Sequence, residues 1–586
     1  MRQSGPSNRV RALEAVARTA LVAAVACGAP AAAPSERDAG GSGGSAASGT
    51  GGKTPASGGM TTSNAGTTTG GASSVTMGGS MSMAGSGSGA AGGTMASGGA
   101  SGAPPATGGT APAGGTDSGG GSGAAAARAG TGGSSAGGDA GSGNGGATAG
   151  MSGSAGAMSG GSGGMPGNLD LVVAPDGIES AAGTLDAPTT LASALTRITA
   201  GHTIFARAGS YTSNAQVTIA RDNSGTSDAP KSLVAYGSEH PVLDFSSQPY
   251  GTSSNPRGLQ INGSYWYVRG LEVMGSADNG IYVAGNGNLI EGCVTHGNRD
   301  TGLQIGRASS DDADPSSWPS NNLILNCESY DNYDAPPGGG ENADGFAAKL
   351  TVGTGNVFRG CVSHNNIDDG WDLYTKTDTG PIGPVTIDQC IAYSNGTLTD
   401  GTSNDNGDRN GFKLGGDDIA VAHVVTRSVA FENGKNGFTW NSNPGAIRLS
   451  NNLAFDNVEG NFKFGDNSTP TAAVFTNNVS LWTSTSSTQS DKAMGTDQSG
   501  TNAWWDKSDA VSVTAKGLSV TTADFAVALT SPKLTRNADG SLNFAAFALA
   551  SGSDLLNAGV VPPGELPFTA SSYYLGMPDL GAVETK

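Results

Sequence analysis

A glycine-headed repeat constrains the fold of this chain more than any other feature of its sequence. Its first three copies begin 22 residues apart, and a later pair is separated by 25. A period of this length, with several short strands in each copy, is typical of a solenoid, in which every repeat buries its apolar face against the next. The copies begin at Gly258, Gly280, Gly302, Gly345, Gly370, Gly411 and Gly437, and a degenerate copy begins at Asn461.

The residues after each glycine alternate in polarity as a strand requires. The first and third positions are apolar, as in Gly280-Ile281-Tyr282-Val283, and the second position faces the other way. A second short strand follows in each copy, for example at 288–293 and 356–361. We therefore predict an all-β fold, a parallel β-helix whose stacked coils lie about 4.8 Å apart. A β-propeller would need longer blades.

Both ends of such a solenoid need a cap, because an open coil exposes unpaired backbone groups. The predicted N-terminal cap consists of a strand at 171–173 and a short helix from Pro188 to about Thr199, with Pro188 at the first helical position. The last, less regular part of the chain is expected to cover the other end.

The chain before the repeat has a different composition. Residues 1–27 place four arginines before the apolar run 20–26, which predicts a secretory signal, and 24–27 resemble a bacterial lipoprotein box. We therefore expect a secreted or cell-surface protein that is lipidated and membrane-anchored at Cys27. Residues 28–167 are almost entirely Gly, Ser, Ala and Thr, which predicts a disordered linker. Residues 168–586 are long enough for one large domain.

The net charge of the chain is −19, which argues against nucleic-acid binding through a basic surface. The same charge repels a polyanionic partner at long range. Contact with an acidic substrate would therefore need a cation as mediator, which points toward a metal.

Four cysteines and two small polar residues fall at equivalent places in successive coils. The pattern predicts an inward stack with free thiols. Disulfides remain the alternative, because export would permit them. Neither CxxC spacing nor histidine spacing supports a zinc site. The residues of this column are Cys293, Cys327, Cys361, Cys390, Ser428 and Asn452.

The repeat also brings acidic residues together beside a lysine. Asp372 and Lys413 both stand two residues after a repeat glycine, so they are predicted outward neighbours on adjacent coils. Just before the glycine, Asp344 and Asp369 replace the Asn or Thr of other copies, and Asp368 adds a carboxylate at the same turn. The sequence therefore predicts one patch with four carboxylates and one amine.

Four carboxylates repel one another strongly unless a cation sits between them. Clustered carboxylate oxygens with irregular geometry suit Ca²⁺. The alternative is a solvated acidic turn beside an unrelated surface lysine. Long insertions surround the patch, as on the binding face of a solenoid, at 307–320, 331–343, 375–384 and 397–410.

Three stretches around these residues resemble the family 9 polysaccharide lyases, whose best-known members are pectate lyases. They are NADGFAAK at 342–349, DDGWDLY at 368–374 and NGFKLGG at 410–416, and the ending PDLGAVE at 578–584 is similar as well. The loop at 403–409 is longer and more charged than is usual in that family.

The resemblance implies a right-handed β-helix of about ten coils. It also implies Ca²⁺ held by Asp344, Asp368, Asp369 and Asp372, with Lys413 as the base that abstracts a proton. A lysine base must be neutral, and its unperturbed pKa is about 10.4. We therefore expect the best activity on the alkaline side of neutrality.

The expected function is a calcium-dependent pectate lyase, a monomer that cleaves the acidic polysaccharide polygalacturonate by β-elimination to 4,5-unsaturated oligogalacturonides. Three alternatives remain open. One is a lyase acting on another uronate-containing polysaccharide such as rhamnogalacturonan. Another is a hydrolase of the same fold, which would need clustered acids without a basic lysine. The third is a non-catalytic cell-surface binder.

Overall fold

The computed structural model describes residues 170–585, apart from 253, 467, 468, 470 and 484–488. The predicted signal at 1–27, the lipidated Cys27 and the predicted linker at 28–167 lie outside these residues. The helices of the described part are all too short or too polar to cross a membrane.

The described chain winds into a parallel β-helix with three long sheets. Each coil contributes one short strand to each sheet, and the strand pairs in parallel with its counterparts one coil earlier and one coil later. The three sheets contain twelve, ten and thirteen strands. The predicted all-β parallel β-helix is confirmed.

The strands are grouped here by sheet, in chain order. The twelve-stranded sheet contains Leu171–Val173, Thr203–Ala206, Lys231–Ala235, Trp266–Arg269, Leu289–Glu291, Leu323–Leu325, Asn356–Arg359, Val385–Asp388, Val424–Thr426, Arg448–Ser450, Val474–Thr476 and Thr496–Asp497. The ten-stranded sheet, called the site sheet below, contains Val217–Ile219, Leu259–Ile261, Ile281–Val283, Leu303–Ile305, Phe346–Ala348, Trp371–Asp372, Phe412–Lys413, Asn436–Thr439, Gly460–Phe464 and Lys492–Ala493.

The thirteen-stranded sheet ends in two antiparallel pairings, whereas its earlier pairings are parallel. It contains Gly209–Thr212, Pro241–Asp244, Glu272–Met274, Val294–His296, Glu328–Tyr330, Val362–His364, Ile391–Tyr393, Val429–Phe431, Leu453–Phe455, Val479–Leu481, Ala503–Asp506, Val511–Thr514 and Ser519–Val520. A separate antiparallel pair is formed by Thr535–Arg536 and Leu542–Asn543. The α-helices are Leu191–Arg197 and Ala570–Tyr573, and the 3-10 helices are Pro315–Ser317, Thr522–Asp524 and Phe544–Phe547.

The eight predicted repeat copies all lead into strands of the site sheet. The first and third residues after the glycine point into the solenoid and are fully buried, as Ile281 and Val283 show. Inward aromatic rings stack from coil to coil with centroids 4.7 to 5.0 Å apart. This stack favours a single register, because a slip of one residue would turn the rings outward. The stacked residues are Phe346, Trp371, Phe412, Phe438 and Phe462.

The N-terminal cap differs from the prediction in where its helix begins. The strand at Leu171–Val173 is confirmed, but the helix spans Leu191–Arg197 rather than 188–199. Thr189 is held in an extended bridge to Val173, so the chain cannot turn helical at Pro188. Thr190 then caps the helix, with its side chain accepting a hydrogen bond from the Ser193 amide.

The cysteine column is confirmed for the four cysteines that the structure describes. All four are buried and carry free thiols. The Cys361 Sγ lies 3.4 Å from two backbone carbonyl oxygens, one from the preceding coil. The column continues as predicted, because the Ser428 hydroxyl accepts from the Cys390 amide and the Asn452 side chain accepts from the Ser428 amide.

Candidate active site

The position just before each repeat glycine forms a hydrogen-bonded ladder along the site sheet. Asn436 donates its side-chain amide to Asn410, which in turn donates to Asp369. The next coil places Asp344 there, and its Oδ1 accepts from the Asp369 backbone amide at 3.3 Å. Thr301 donates its hydroxyl to the other oxygen of Asp344. Two carboxylates therefore replace the amides of an otherwise neutral ladder.

Three of the four predicted acidic residues meet closely. One carboxylate oxygen from each of Asp344, Asp368 and Asp369 lies within 4.8 Å of the other two. Their exposure is at most 1 %. Asp368 is oriented by the backbone amides of Asp408 and Arg409, which both donate to its Oδ1.

Asp372, the fourth predicted acidic residue, is linked to the other three by the amines of Lys349 and Lys413. It pairs in register with Lys413, as predicted, and its Oδ2 lies 3.9 Å from the Lys413 Nζ. The same oxygen accepts a hydrogen bond from the Lys349 Nζ at 3.2 Å. The other oxygen, Oδ1, is buried and has no hydrogen-bond partner among the described residues.

Lys413 holds its amine at the centre of the group. The Nζ lies 3.1 Å from the Asp369 Oδ2 and 3.0 Å from the Asp408 Oδ2, and its side chain is only 10 % exposed. Burial disfavours the charged amine, but the surrounding carboxylates outweigh that effect and raise the pKa of Lys413 well above its ordinary value. In this charge state Lys413 is an ammonium, which cannot accept a proton.

The sequence interpretation missed two charged residues in direct contact with the predicted site. Lys349 donates to Asp344 at 2.7 Å as well as to Asp372. The sequence does indicate Lys349, because the alternation of inward and outward residues, continued one residue past Ala348, turns Lys349 outward. Asp408 bridges the amines of Lys413 and Lys435 from the insertion at 397–410. An insertion follows no repeat, so nothing in the pattern identified Asp408.

Burial makes the charged form of these carboxylates unfavourable. Burial, reinforced by neighbouring carboxylates, raises the pKa of Asp344 and of Asp369 to about 7. The same causes raise the pKa of Asp368 well above its usual range. A cluster of buried carboxylate oxygens, among them an Asp372 oxygen that has no hydrogen-bond partner in the described part of the chain, fits a hard divalent cation such as Ca²⁺, which takes oxygen ligands in flexible geometry.

Two of the predicted insertions meet over the acidic cluster. Asn404 and Asn406, from 397–410, both donate side-chain amides to the Gly339 carbonyl of the insertion at 331–343. These contacts join the two insertions beside Asp368. The insertion at 397–410 also covers part of the cluster, because its Asp408 amide donates to the Asp368 Oδ1.

Fold and site together define a class, the β-helical enzymes that carry an acidic cluster and a lysine on one outer sheet. The sequence profile described as "Pel9A-like, right handed beta helix region" matches residues 171–480. The chain therefore belongs to the Pel9A-like family, polysaccharide lyase family 9, and is a polysaccharide lyase. The predicted family, the right-handed fold and the enzyme class are confirmed.

Individual relatives agree with the profile. Pectate lyase L of Paenibacillus polymyxa (strain SC2) is 54% identical over 398 residues, which are 68% of this chain and 85% of that protein. The crystal structure of pectate lyase Pel9A superposes with a TM-score of 0.58 at 33% identity, over 71% of this chain and 96% of that one. A rhamnogalacturonan lyase superposes with a TM-score of 0.53 at 25% identity, over 65% of this chain and 97% of that one.

Proposed function

We propose that this protein is an exported, calcium-dependent pectate lyase that cleaves polygalacturonate by β-elimination and releases 4,5-unsaturated oligogalacturonides. The observation that carries the proposal is the contact of the Lys413 amine with a cluster of buried aspartates on the outer face of the solenoid. The similarity to pectate lyase L, at 54% identity over most of both chains, supports the choice of substrate.

The proposed metal ligands are Asp344, Asp368, Asp369 and Asp372. Calcium bound there would supply positive charge that holds the uronate carboxylate at C5, stabilises the negative charge that develops beside it, and lowers the pKa of Lys413. Two neighbouring groups keep the ligands in place: Asn410 of the ladder orients Asp369, and the backbone amide of Asp408 orients Asp368.

Lys413 is the proposed base. Its neutral amine takes the proton from C5 of the sugar, and the electron pair left behind forms the double bond between C4 and C5. The bond between C4 and the glycosidic oxygen breaks in the same elimination, and water supplies the proton for the departing oxygen. Because only the neutral amine can act, the rate is expected to rise from neutral toward alkaline pH.

The test is ultraviolet absorbance of the unsaturated product from polygalacturonate, measured with calcium and again after chelator is added. The wild-type protein should generate absorbance only with calcium. Lys413→Ala should abolish it while binding calcium with unchanged stoichiometry in calorimetry. Lys376→Ala is the matched control, because Lys376 is an exposed lysine on a neighbouring insertion. Lysis retained by Lys413→Ala would overturn the assignment of the base.

Rhamnogalacturonan is a second candidate substrate. The observation in its favour is the superposition of a rhamnogalacturonan lyase over 65% of this chain. The proposed calcium ligands and base would serve the same elimination there, with different sugar contacts. Initial rates on the two polymers at equal uronate concentration separate the candidates, and a clear preference for rhamnogalacturonan would replace the first proposal.

We also propose that the chain is exported and anchored through a lipid on Cys27, with 28–167 as a tether. The signal-like composition of 1–27 supports this. Cys27→Ser should release the enzyme from the membrane fraction into the medium without changing its activity. An unchanged distribution between membrane and medium would contradict the anchor.

A further inference from the structure

The second residue after each repeat glycine faces outward on the site sheet, and these residues form a column along it. Their charge differs between the two sides of the proposed active site. On the N-terminal side the members of the column are neutral up to Asp372, among them Gln260, Tyr282 and Gln304. On the C-terminal side, the in-register partners that follow Lys413 are Thr439, Lys463 and Lys492. Because adjacent strands lie about 4.8 Å apart, Lys463 stands about 10 Å and Lys492 about 14 Å from Lys413 along the solenoid axis.

Both additional lysines point away from the core. Lys463 lies between Phe462 and Phe464, which are buried inside the solenoid, so alternation turns the lysine outward. Its side chain is 40 % exposed. Lys492 pairs with Lys463 at the next strand and is partly exposed as well.

The two amines are at most weakly paired with acidic groups. The Glu459 carboxylate is 4.0 Å from the Lys463 Nζ, at the outer limit of an ion pair. The neighbouring Asp491 directs its carboxylate to the backbone amides of Asn461, Phe462 and Trp505 instead. Within the described part of the chain, no carboxylate forms an ion pair with Lys492.

Two like charges on in-register positions of adjacent parallel strands repel each other. This pair persists in a chain with a net charge of −19, where acidic partners are abundant. An external anion with repeated charges along the solenoid axis would relieve the repulsion, and a polyuronate carries one carboxylate on every sugar.

We propose that Lys463 and Lys492 bind uronate carboxylates of the polysaccharide on the C-terminal side of the cleavage site. They form a cationic extension of the site that favours chains with several acidic sugars beyond the cleaved bond. The inference rests on the proposed function, because it takes the substrate to be a polyuronate that lies along the site sheet. Lys463 and Lys492 act here on binding and leave the elimination itself to the residues around Lys413.

The experiment uses the full-length protein with calcium and measures KM and kcat on polygalacturonate and on trigalacturonate. Lys463→Gln and Lys492→Gln should each raise KM for the polymer about two- to fivefold, the range of an exposed charge pair, with kcat nearly unchanged. The double variant should raise KM further, and trigalacturonate should be affected less because it spans fewer coils. At about 1 M salt, where the Debye length is about 3 Å, the difference from wild type should shrink.

Two controls separate charge from folding. Lys533→Gln removes an exposed lysine outside the three long sheets and should leave KM unchanged. Lys463→Arg and Lys492→Arg should keep the wild-type KM, which a purely structural defect would not predict. If the glutamine variants have the same KM as Lys533→Gln, or if their KM is raised equally at low and high salt, the inference is wrong. The proposed lyase activity is unaffected by either result. If the wild-type protein cleaves no polyuronate, the proposed function fails and this inference fails with it.

Discussion

Lys349→Met tests the charge balance of the acidic cluster. Lys349 bridges Asp344 and Asp372, with Nζ–oxygen distances of 2.7 and 3.2 Å. The side chains of all three are at most 12 % exposed. Methionine keeps an unbranched apolar stem and removes the charged amine. The change therefore leaves two buried carboxylates without their shared counter-ion.

The expected cost follows from that burial. Removing one partner of a buried ion pair typically costs about 3–5 kcal/mol. We expect this loss in the free energy of unfolding for the calcium-free protein at about pH 8, above the pKa of about 7 to which burial raises Asp344. Below that pKa, Asp344 takes up a proton and loses its charge, so the loss should be smaller at about pH 6.

Calcium should reverse most of the loss. A cation that binds the folded cluster stabilises it by mass action, and it binds more tightly when the competing ammonium is gone. Urea unfolding followed by tryptophan fluorescence, with calcium or with chelator, measures both effects. Lys376→Met, on a side chain that is 52 % exposed, should change stability by less than about 0.5 kcal/mol. A loss below about 1 kcal/mol, or one independent of pH and calcium, would refute the reasoning.

Three further predictions concern the wild-type protein and its other buried groups. Burial raises the pKa of Asp344 and Asp369 to about 7 from an unfolded value of about 3.9, so the folded state binds these protons more tightly. Stability in chelator should therefore fall as pH rises from about 4 to about 7, and unfolding midpoints that rise over this range would contradict it. Arg427→Ala should cost about 1.5–3 kcal/mol in urea unfolding, because Arg427 donates three hydrogen bonds to the fully buried Asp388, which keeps Arg359 as a second partner; a cost under about 0.5 kcal/mol would count against it. Burial raises the pKa of the Cys361 thiol, so Cys361→Ala should leave the number of thiols that react with a disulfide reagent in native protein unchanged and lower it by one in urea.

The repeat allowed much of the site to be predicted. A β-helix converts sequence position into spatial position, because equivalent residues in successive coils become neighbours in register. The offset from the repeat glycine therefore placed Asp372 opposite Lys413, and the structure pairs them so. This pairing holds although insertions lie between Asp372 and Lys413 in the chain. The same offset placed Asp344 and Asp369 on consecutive rungs of one ladder.

The contacts made by insertions could not be predicted in this way. Asp408 reaches Lys413 from a loop without repeat position, and the loop is held by hydrogen bonds to Gly339, far away in sequence. The predicted start of the N-terminal helix was wrong for a related reason. A tertiary bridge holds Thr189 extended and outweighs the helix-start signal of Pro188. In both cases long-range contacts decide the local structure.

The ladder itself supplies the strongest argument that the acidic cluster is functional. At Asn410 and Asn436 a neutral amide fills the position before the repeat glycine and completes the hydrogen bonds between coils. An amide at Asp344 or Asp369 would avoid the burial that raises the pKa of each carboxyl to about 7. A stacking role alone thus favours asparagine at every rung. Carboxylates on two consecutive rungs, each in contact with an outward lysine, are explained when a cation and an anionic substrate share the site.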